Sequence, residues 1–308
     1  MRGKKKMFNG RKELMFVYSV KDANPNGDPL NGNHPRYDEE TGQILVSDVR
    51  IKRTIRDELI RMGEDVFIDG EPKTLKERFE ELKTKLSTTK GDETLKKCID
   101  TRLFGVTFAL GKESFAWTGP VQFKWGRSLH KAKVEFVQGT GAFVTKEGGE
   151  QRTIRNEYIV PFALIGTYAI GNQYASERTQ ATDDDFNKLT QAVWNGTNNL
   201  ITRSKTEHRS RFMMEILYKP NFNGLIGSLD ERIKLTKRDN SLLDDDEQLS
   251  IRNVEDLSLN LKEICDKVSL LKDNIEKIII IKDPDLGVKN IDDLKSILGE
   301  DKVAIELR

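Results

Sequence analysis

Asp22, Asn24, Asn26 and Gly27 fall at the D-x-[DN]-x-[DN]-G spacing that opens a calcium-binding loop, where alternating side-chain oxygens surround the ion and the glycine permits a sharp turn. The rest of such a loop does not follow. Its twelfth position, which needs a glutamate to close the coordination sphere, is Asn33. The entry is also wrong, because "LMFVYSV" over residues 14–20 is an aromatic and β-branched run that reads as a strand, not a helix. The Asn/Pro/Gly cluster "NPNGDP" therefore reads as a turn leaving a strand, and no metal or other cofactor is expected.

Other catalytic patterns are equally incomplete. The three histidines, His34, His130 and His208, show no ligand spacing and read as surface or packing residues. Cys98 and Cys265 are far apart and belong to no CxxC pair, so neither a disulfide framework nor a cysteine zinc site is indicated. "GVTFALGK" has one residue too many between its glycines for a phosphate loop and carries Glu113 where Ser or Thr would hold magnesium. "RLFGVTF" approaches the aromatic RNA-recognition signature but lacks its first glycine, and a buried strand is the better reading. The acids at Asp183–Asp185 and Asp244–Asp246 are explained by a helix start and a solvated linker. No catalytic residue is assigned.

Cations carry the remaining chemistry. "VSDVRIKRTIRDELIRMG" reads as a helix with Ser47 as N-cap, Asp48 in the first turn and Gly63 at the end. Ile51, Ile55, Leu59 and Met62 form its apolar stripe. Lys52, Arg53 and Arg56 share another side, with Arg50 and Arg61 further round. Guanidinium groups fork onto phosphate oxygens, and a helix N-terminus adds donors of its own; the plain alternative is a solvated charged face. Lys124, Arg127, Lys131, Arg152, Arg155, Arg203, Lys205 and Arg209 lie near other strand ends. Spacing alone does not gather them on one surface.

The elements that must position these groups follow from the patterning. The chain has 308 residues, 36% hydrophobic and 33% charged, enough for a sizeable core in one large domain with insertions or in two modest ones. No apolar run approaches the roughly 20 residues that span a bilayer, and Asn9 to Glu13 interrupt what would be the apolar segment of a signal peptide. A cytoplasmic protein without a membrane partner is expected. The net charge of +1 conceals an asymmetry: residues 236–308 carry 12 Lys and Arg against 18 Asp and Glu, or −6, leaving 39 against 32, or +7, in residues 1–235. A cationic body suits a polyanion. With insertions set aside, the order is strand, helix, strand, strand, helix, strand, an α+β, ferredoxin-like pattern that also frames RNA-recognition domains. Residues 72–104 read as helical, 138–150 as a glycine-rich excursion, and the last seventy or so as a helix near 254–276, the strand "IIIIK", a short helix and a final strand.

An ordered set of motifs then resembles a known family. "NPNGDP", "NHPRYD", "VSDVRIKRTIRD", "RLFG", "TGPVQFKWGRSL", "VPFALIG" and "AVWNGTNNLITRSKTEHRSRFMMEILY" resemble, over roughly residues 12–235, the backbone subunit of Cascade, the type I CRISPR surveillance complex, and most of all its I-B branch. The resemblance implies a modified RNA-recognition palm over residues 1–235. Helical fingers would be inserted at about 64–110 and a thumb hairpin at about 127–155, with residues 236–308 a C-terminal α/β extension packed on or beside the palm. It implies a non-catalytic subunit that polymerises along guide RNA, holds its phosphate and sugar, and leaves bases free to pair with target DNA. Partners would be guide RNA, copies of itself head-to-tail and other Cascade subunits. Carried over to this sequence, the RNA contacts are Ser47, Arg50, Lys52, Arg53 and Arg56 on the helix, Asn24 and Asn26 in the turn, and Gln122, Lys124, Arg127, Arg152, Arg155, Arg203, Lys205 and Arg209. The alternative is a backbone subunit like those of type III effectors, which cleave target RNA with a loop acid near the first strand; here that acid would be Asp22 or Asp28.

Overall fold

The computed structural model describes residues 8–140 and 154–308. Its centre is the strand β1 (Lys12–Ala23), apolar on both faces because both are covered. Leu14, Phe16, Tyr18 and Val20 enter one core, and Met15 and Val17 enter another on the opposite face. The two sets alternate along one strand, as the period-two geometry of β-structure requires.

Both neighbours of β1 are antiparallel to it: the long strand Ile154–Gly171 on one side, with Phe16 opposite Thr167, and His208–Tyr218 on the other, with Leu14 opposite Glu215. The long strand also pairs with Val121–Phe123 and Gly126–Ser128, and the latter with Gln43–Val46. On the helix-covered face lie α1 (Asp48–Arg61), which inserts Ile51, Ile55 and Leu59, and the helix Asp183–Asn198, which inserts Phe186, Leu189, Val193 and Trp194. Each helix starts where its cap dictates. Ser47 Oγ accepts from the Arg50 amide, and Thr182 and Asp185 form a reciprocal capping box.

Residues beyond 235 do not form a separate sheet alone. Ile275–Lys282 pairs antiparallel with His208–Tyr218, and Val303–Leu307 pairs parallel with Ile275–Lys282, so the central sheet continues into the extension. Their Ile278 and Ile280 join Met15, Val17, Phe212 and Met214 in the second core. The helix expected near 254–276 begins only at Lys262, because Leu257–Asn260 pairs as a strand with Lys234–Lys237 and Gly287–Lys289. The helical reading of 72–104 resolves into Leu75–Leu86, Gly91–Lys97 and Ile99–Phe104. A hairpin, Gly105–Leu110 with Glu113–Thr118, follows them. It supplies Phe108 and Trp117 to a small separate core with Phe67, Phe79, Leu82 and Leu95, so this lobe runs past residue 110. Glu135–Thr140 pairs with residues 154–159 as a hairpin stem; the rest of the glycine-rich excursion, from 141, and Arg152 lie outside the described residues.

One buried carboxylate ties β1 to the segment that leads into the extension. Glu13, fully enclosed on β1, accepts hydrogen bonds from the hydroxyls of Tyr168 and Tyr218 and from the amides of Ile226 (2.8 Å) and Gly227 (2.7 Å). Removing the carboxylate takes the acceptor from four donors in a dry site. Glu13→Leu should therefore lower unfolding free energy by about 3 kcal/mol or more, measured by urea denaturation, with Glu13→Gln less damaging.

Candidate nucleic-acid interface

The cations named from sequence divide into those the fold neutralises and those it leaves without a counter-charge. Arg56 belongs wholly to the first group. It is buried, its Nε donates to Asp100 Oδ2 at 2.9 Å, and Asp100, itself inaccessible, also accepts from the amides of Phe67 (2.7 Å) and Ile68 (3.2 Å). Arg56 thus locks α1 to the segment around Asp100 and is not on the surface; an acid 44 residues away in sequence turns it inward. Arg53 pairs with Asp57 and donates to the carbonyls of Ile68 (3.4 Å) and Asp69 (2.9 Å). Gly70, at φ +85°, leaves the room Arg53 fills, since a Cβ there would strike its guanidinium.

Lys52 stands between these cases. Its Nζ reaches Asp48 Oδ2 at 3.1 Å and Gln122 Oε1 at 3.3 Å, while Gln122 donates to the carbonyls of Phe104 and Gly119. Lys124 is bound to Asp230 (3.0 Å) and Glu231 just before the extension, and Lys131 to Asp245 (2.5 Å) within it. Arg127 holds Asp38 at 2.9 Å, and this bond keeps the Asp38 carboxyl below the usual carboxylate range. Arg209 sits 3.5 Å from Glu207 and lines a crevice against the extension with Lys21, Arg252 and Asp285. These groups do not converge with α1. Arg155 is in the stem strand opposite Gly139.

The turn after β1 does local work. Asn24 is buried; its amide nitrogen donates to the Asn33 carbonyl (2.8 Å) and its backbone N–H to the Ser204 carbonyl (2.8 Å). Asn26 Oδ1 accepts from the Ser47 backbone N–H at 2.8 Å, fixing the residue that caps α1. Gly27 is required because a Cβ would collide with the Asn33 side chain. The turn therefore sets the height and direction at which α1 begins. Among the described residues, no group of three or more His, Cys, Asp and Glu is arranged to hold a metal ion, and no helix is long and apolar enough to cross a membrane.

Where the turn, the N-terminal half of α1 and the connection before His208 meet, a cleft opens. It is narrow, with a cavity volume of about 30 Å³, and is walled by Tyr18, Pro25, Val46, Ile51, Thr54 and Leu200. Arg50 lies in it. One guanidinium nitrogen donates to Thr54 Oγ1 at 2.8 Å and the buried Nε has no partner. Lys205 is near enough to Arg50 that the guanidinium opposes its charge. Burial first, and then Arg50, lowers the Lys205 pKa, and burial likewise lowers that of Arg50. Lys205 Nζ reaches only Ser204 Oγ, at 3.4 Å. Among the described residues neither has a carboxylate at ion-pair distance. A more polar recess is lined by Asn24, Asn33, Asn156, Tyr158, Arg203 and Ser204, with Arg203 3.1 Å from Glu157.

His208 also lines the cleft, although its sequence context reads as that of a surface or packing residue. Its significance comes from Tyr18, Arg50 and Lys205, and of these only Lys205 is near it in the chain.

The sequence profile of the family described as CRISPR-associated protein Cas7 matches residues 10–262. The chain belongs to the Cas7 family. It is 26% identical over 304 residues to the CRISPR-associated protein Cas7 of Haloferax volcanii, an alignment covering 89% of this chain and 87% of that one. A chain of a CRISPR RNA-guided surveillance complex, pre-nicking, shares its fold at a TM-score of 0.55, with 14% identity, over 88% of this chain and 92% of the other. The Cas7 match runs through β1, α1 and both halves of the cleft, and ends within the C-terminal extension.

Breaking a buried ion pair from one side leaves an uncompensated charge. Arg56→Ala should lower stability by about 3 kcal/mol in chemical denaturation. At a temperature where the variant remains folded, the salt dependence of any RNA binding should be unchanged.

Proposed function

We propose that this Cas7 chain is a non-catalytic backbone subunit of a type I CRISPR surveillance complex, of I-B kind, that holds guide RNA by its phosphates and sugars in the cytoplasm. The observation that carries the reading is the pair Arg50, in the cleft beside β1, and Lys205, near it, both partly withdrawn from water and neither at ion-pair distance from a carboxylate among the described residues. Such charge is costly unless an anion from outside completes it. Single-stranded RNA brings one anion per nucleotide, and a protein that reads only backbone can hold any guide sequence.

The proposed architecture is a ferredoxin-like palm. It is supported by the antiparallel neighbours His208–Tyr218, β1, Ile154–Gly171 and Gly126–Ser128 in that order, with α1 and Asp183–Asn198 on one face. The lobe around Phe79 and Trp117 would be the fingers, the stem at Glu135–Thr140 the base of the thumb, and residues 236–308 an extension that widens the palm sheet. Copies would repeat head-to-tail along the guide, an arrangement that generates a filament because it does not close, leaving bases free to pair with target DNA beside the other subunits. The non-catalytic part is supported at Asp28, the loop acid a target-RNA nuclease would use. Its carboxylate already accepts from the Leu30 amide (3.2 Å) and from Arg36 (3.4 and 3.5 Å).

Removing one phosphate-binding cation makes binding less sensitive to salt, by about 0.7 in the log–log slope for a single strand. The Arg50→Ala/Lys205→Ala variant should fold and bind RNA with a slope shallower by about 1.4 than the wild type, measured by fluorescence anisotropy across a salt series. An unchanged slope with full affinity would contradict the assignment of the cleft.

A further inference from the structure

His208 is in a chemical situation that the fold does not explain. It is 4% exposed, and its ring stacks on Tyr18 at 6.0 Å between centroids. Neither ring nitrogen has a hydrogen-bond partner of normal geometry among the described residues, although the Lys205 backbone is close enough to favour a proton on the ring. His130 shows the contrast. It is as buried, yet its Nδ1 bonds the Lys131 carbonyl at 2.7 Å and its Nε2 accepts from the Leu164 amide at 3.1 Å. A buried polar group left unsatisfied costs about 1–3 kcal/mol, and such groups mark places where a ligand completes the bonding.

What faces His208 says which ligand. Arg50 approaches from α1 with its unpartnered Nε, and Lys205 from the connection before the strand. The phenol of Tyr18 comes from β1, and burial keeps it protonated against the opposing pull of Arg50. Glu207 and Arg209, the flanking residues, line the adjoining crevice with Asp283 and Arg308. Burial first, then Lys205 and Arg50, push the His208 pKa down to about 3, so the ring is neutral at ordinary pH and carries one N–H to give. Arg50 and His208 line one cleft and Lys205 is close to the ring, and two cations beside one neutral donor match an oxyanion with several acceptor oxygens.

We propose that Arg50, Lys205 and His208 form a subsite for one phosphate group of the RNA backbone, with the His208 ring N–H donating to a phosphate oxygen. The inference rests on the guide-RNA reading and adds a ligand to it. It also has a consequence of its own. A phosphate placed against the ring replaces repulsion by Lys205 and Arg50 with attraction, so the His208 pKa rises when RNA binds.

With three histidines in the chain, imidazole nitrogen NMR on 15N-histidine-labelled full-length protein separates them. His208→Gln identifies the signal, and should that variant not fold, His34→Gln and His130→Gln identify it by elimination. Adding a single-stranded RNA oligomer should shift the His208 resonances and move its titration to higher pH, with His130 unmoved. His208→Gln should bind the oligomer about tenfold more weakly, the loss expected for one charge-assisted hydrogen bond. RNA bound with the His208 signals unmoved overturns the subsite while leaving the guide-RNA reading standing; no RNA bound by the wild type overturns both. Inorganic phosphate is the second arm. A shift with phosphate but not with the oligomer would assign the cleft to a free anion and overturn the proposal.

Discussion

A positive charge drawn partly out of water needs a negative one beside it, and the structure is ordered by where that partner comes from. At Arg56 it comes from inside: Asp100 is completely enclosed and holds the guanidinium along with two backbone amides. At Arg50 and Lys205 no carboxylate of the described residues lies at ion-pair distance, and Asp57 acts on Arg50 only from further off. The same helix thus has one cation facing inward onto a buried carboxylate and another near its start whose Nε has no partner among the described residues. A difference of six residues, or less than two turns, separates the two environments.

That division requires α1 to begin at a fixed point. Asn26 holds the Ser47 amide and Ser47 holds the Arg50 amide, so the turn after β1 determines where the first turn of the helix sits. β1 in turn is fixed by its two antiparallel neighbours and by cores on both faces. Glu13, at its other end, anchors the segment that leads into the extension. The extension acts on charge as well as on packing: its acids pair with Lys131 and Arg211.

What was legible in the sequence was local. Ser47 announces its helix because a cap acts within one turn, and Ile51, Ile55 and Leu59 announce its buried stripe by spacing alone. β1 is readable because a strand covered on both faces must be apolar throughout. The fate of each cation was not legible, because its partner is remote: Asp100 for Arg56, Glu231 for Lys124, and the Ile68 and Asp69 carbonyls for Arg53. The strand Leu257–Asn260 was missed for a related reason, since its place is set by pairing with Lys234–Lys237 and Gly287–Lys289. His208 left no signal at all, because an orphaned ring is defined by what surrounds it in space.

If the unneutralised cleft binds phosphate and ignores base identity, affinity must follow backbone charge and nothing else. Dissociation constants at one salt concentration decide this, compared for single-stranded RNA oligomers of equal length and different sequence, and for the same oligomers with methylphosphonate in place of phosphate. Affinities should agree across sequences within about threefold, and binding should be lost when the backbone is neutral, because backbone charge dominates such contacts. Binding that follows sequence and survives neutralisation of the backbone would contradict the role given to Arg50 and Lys205.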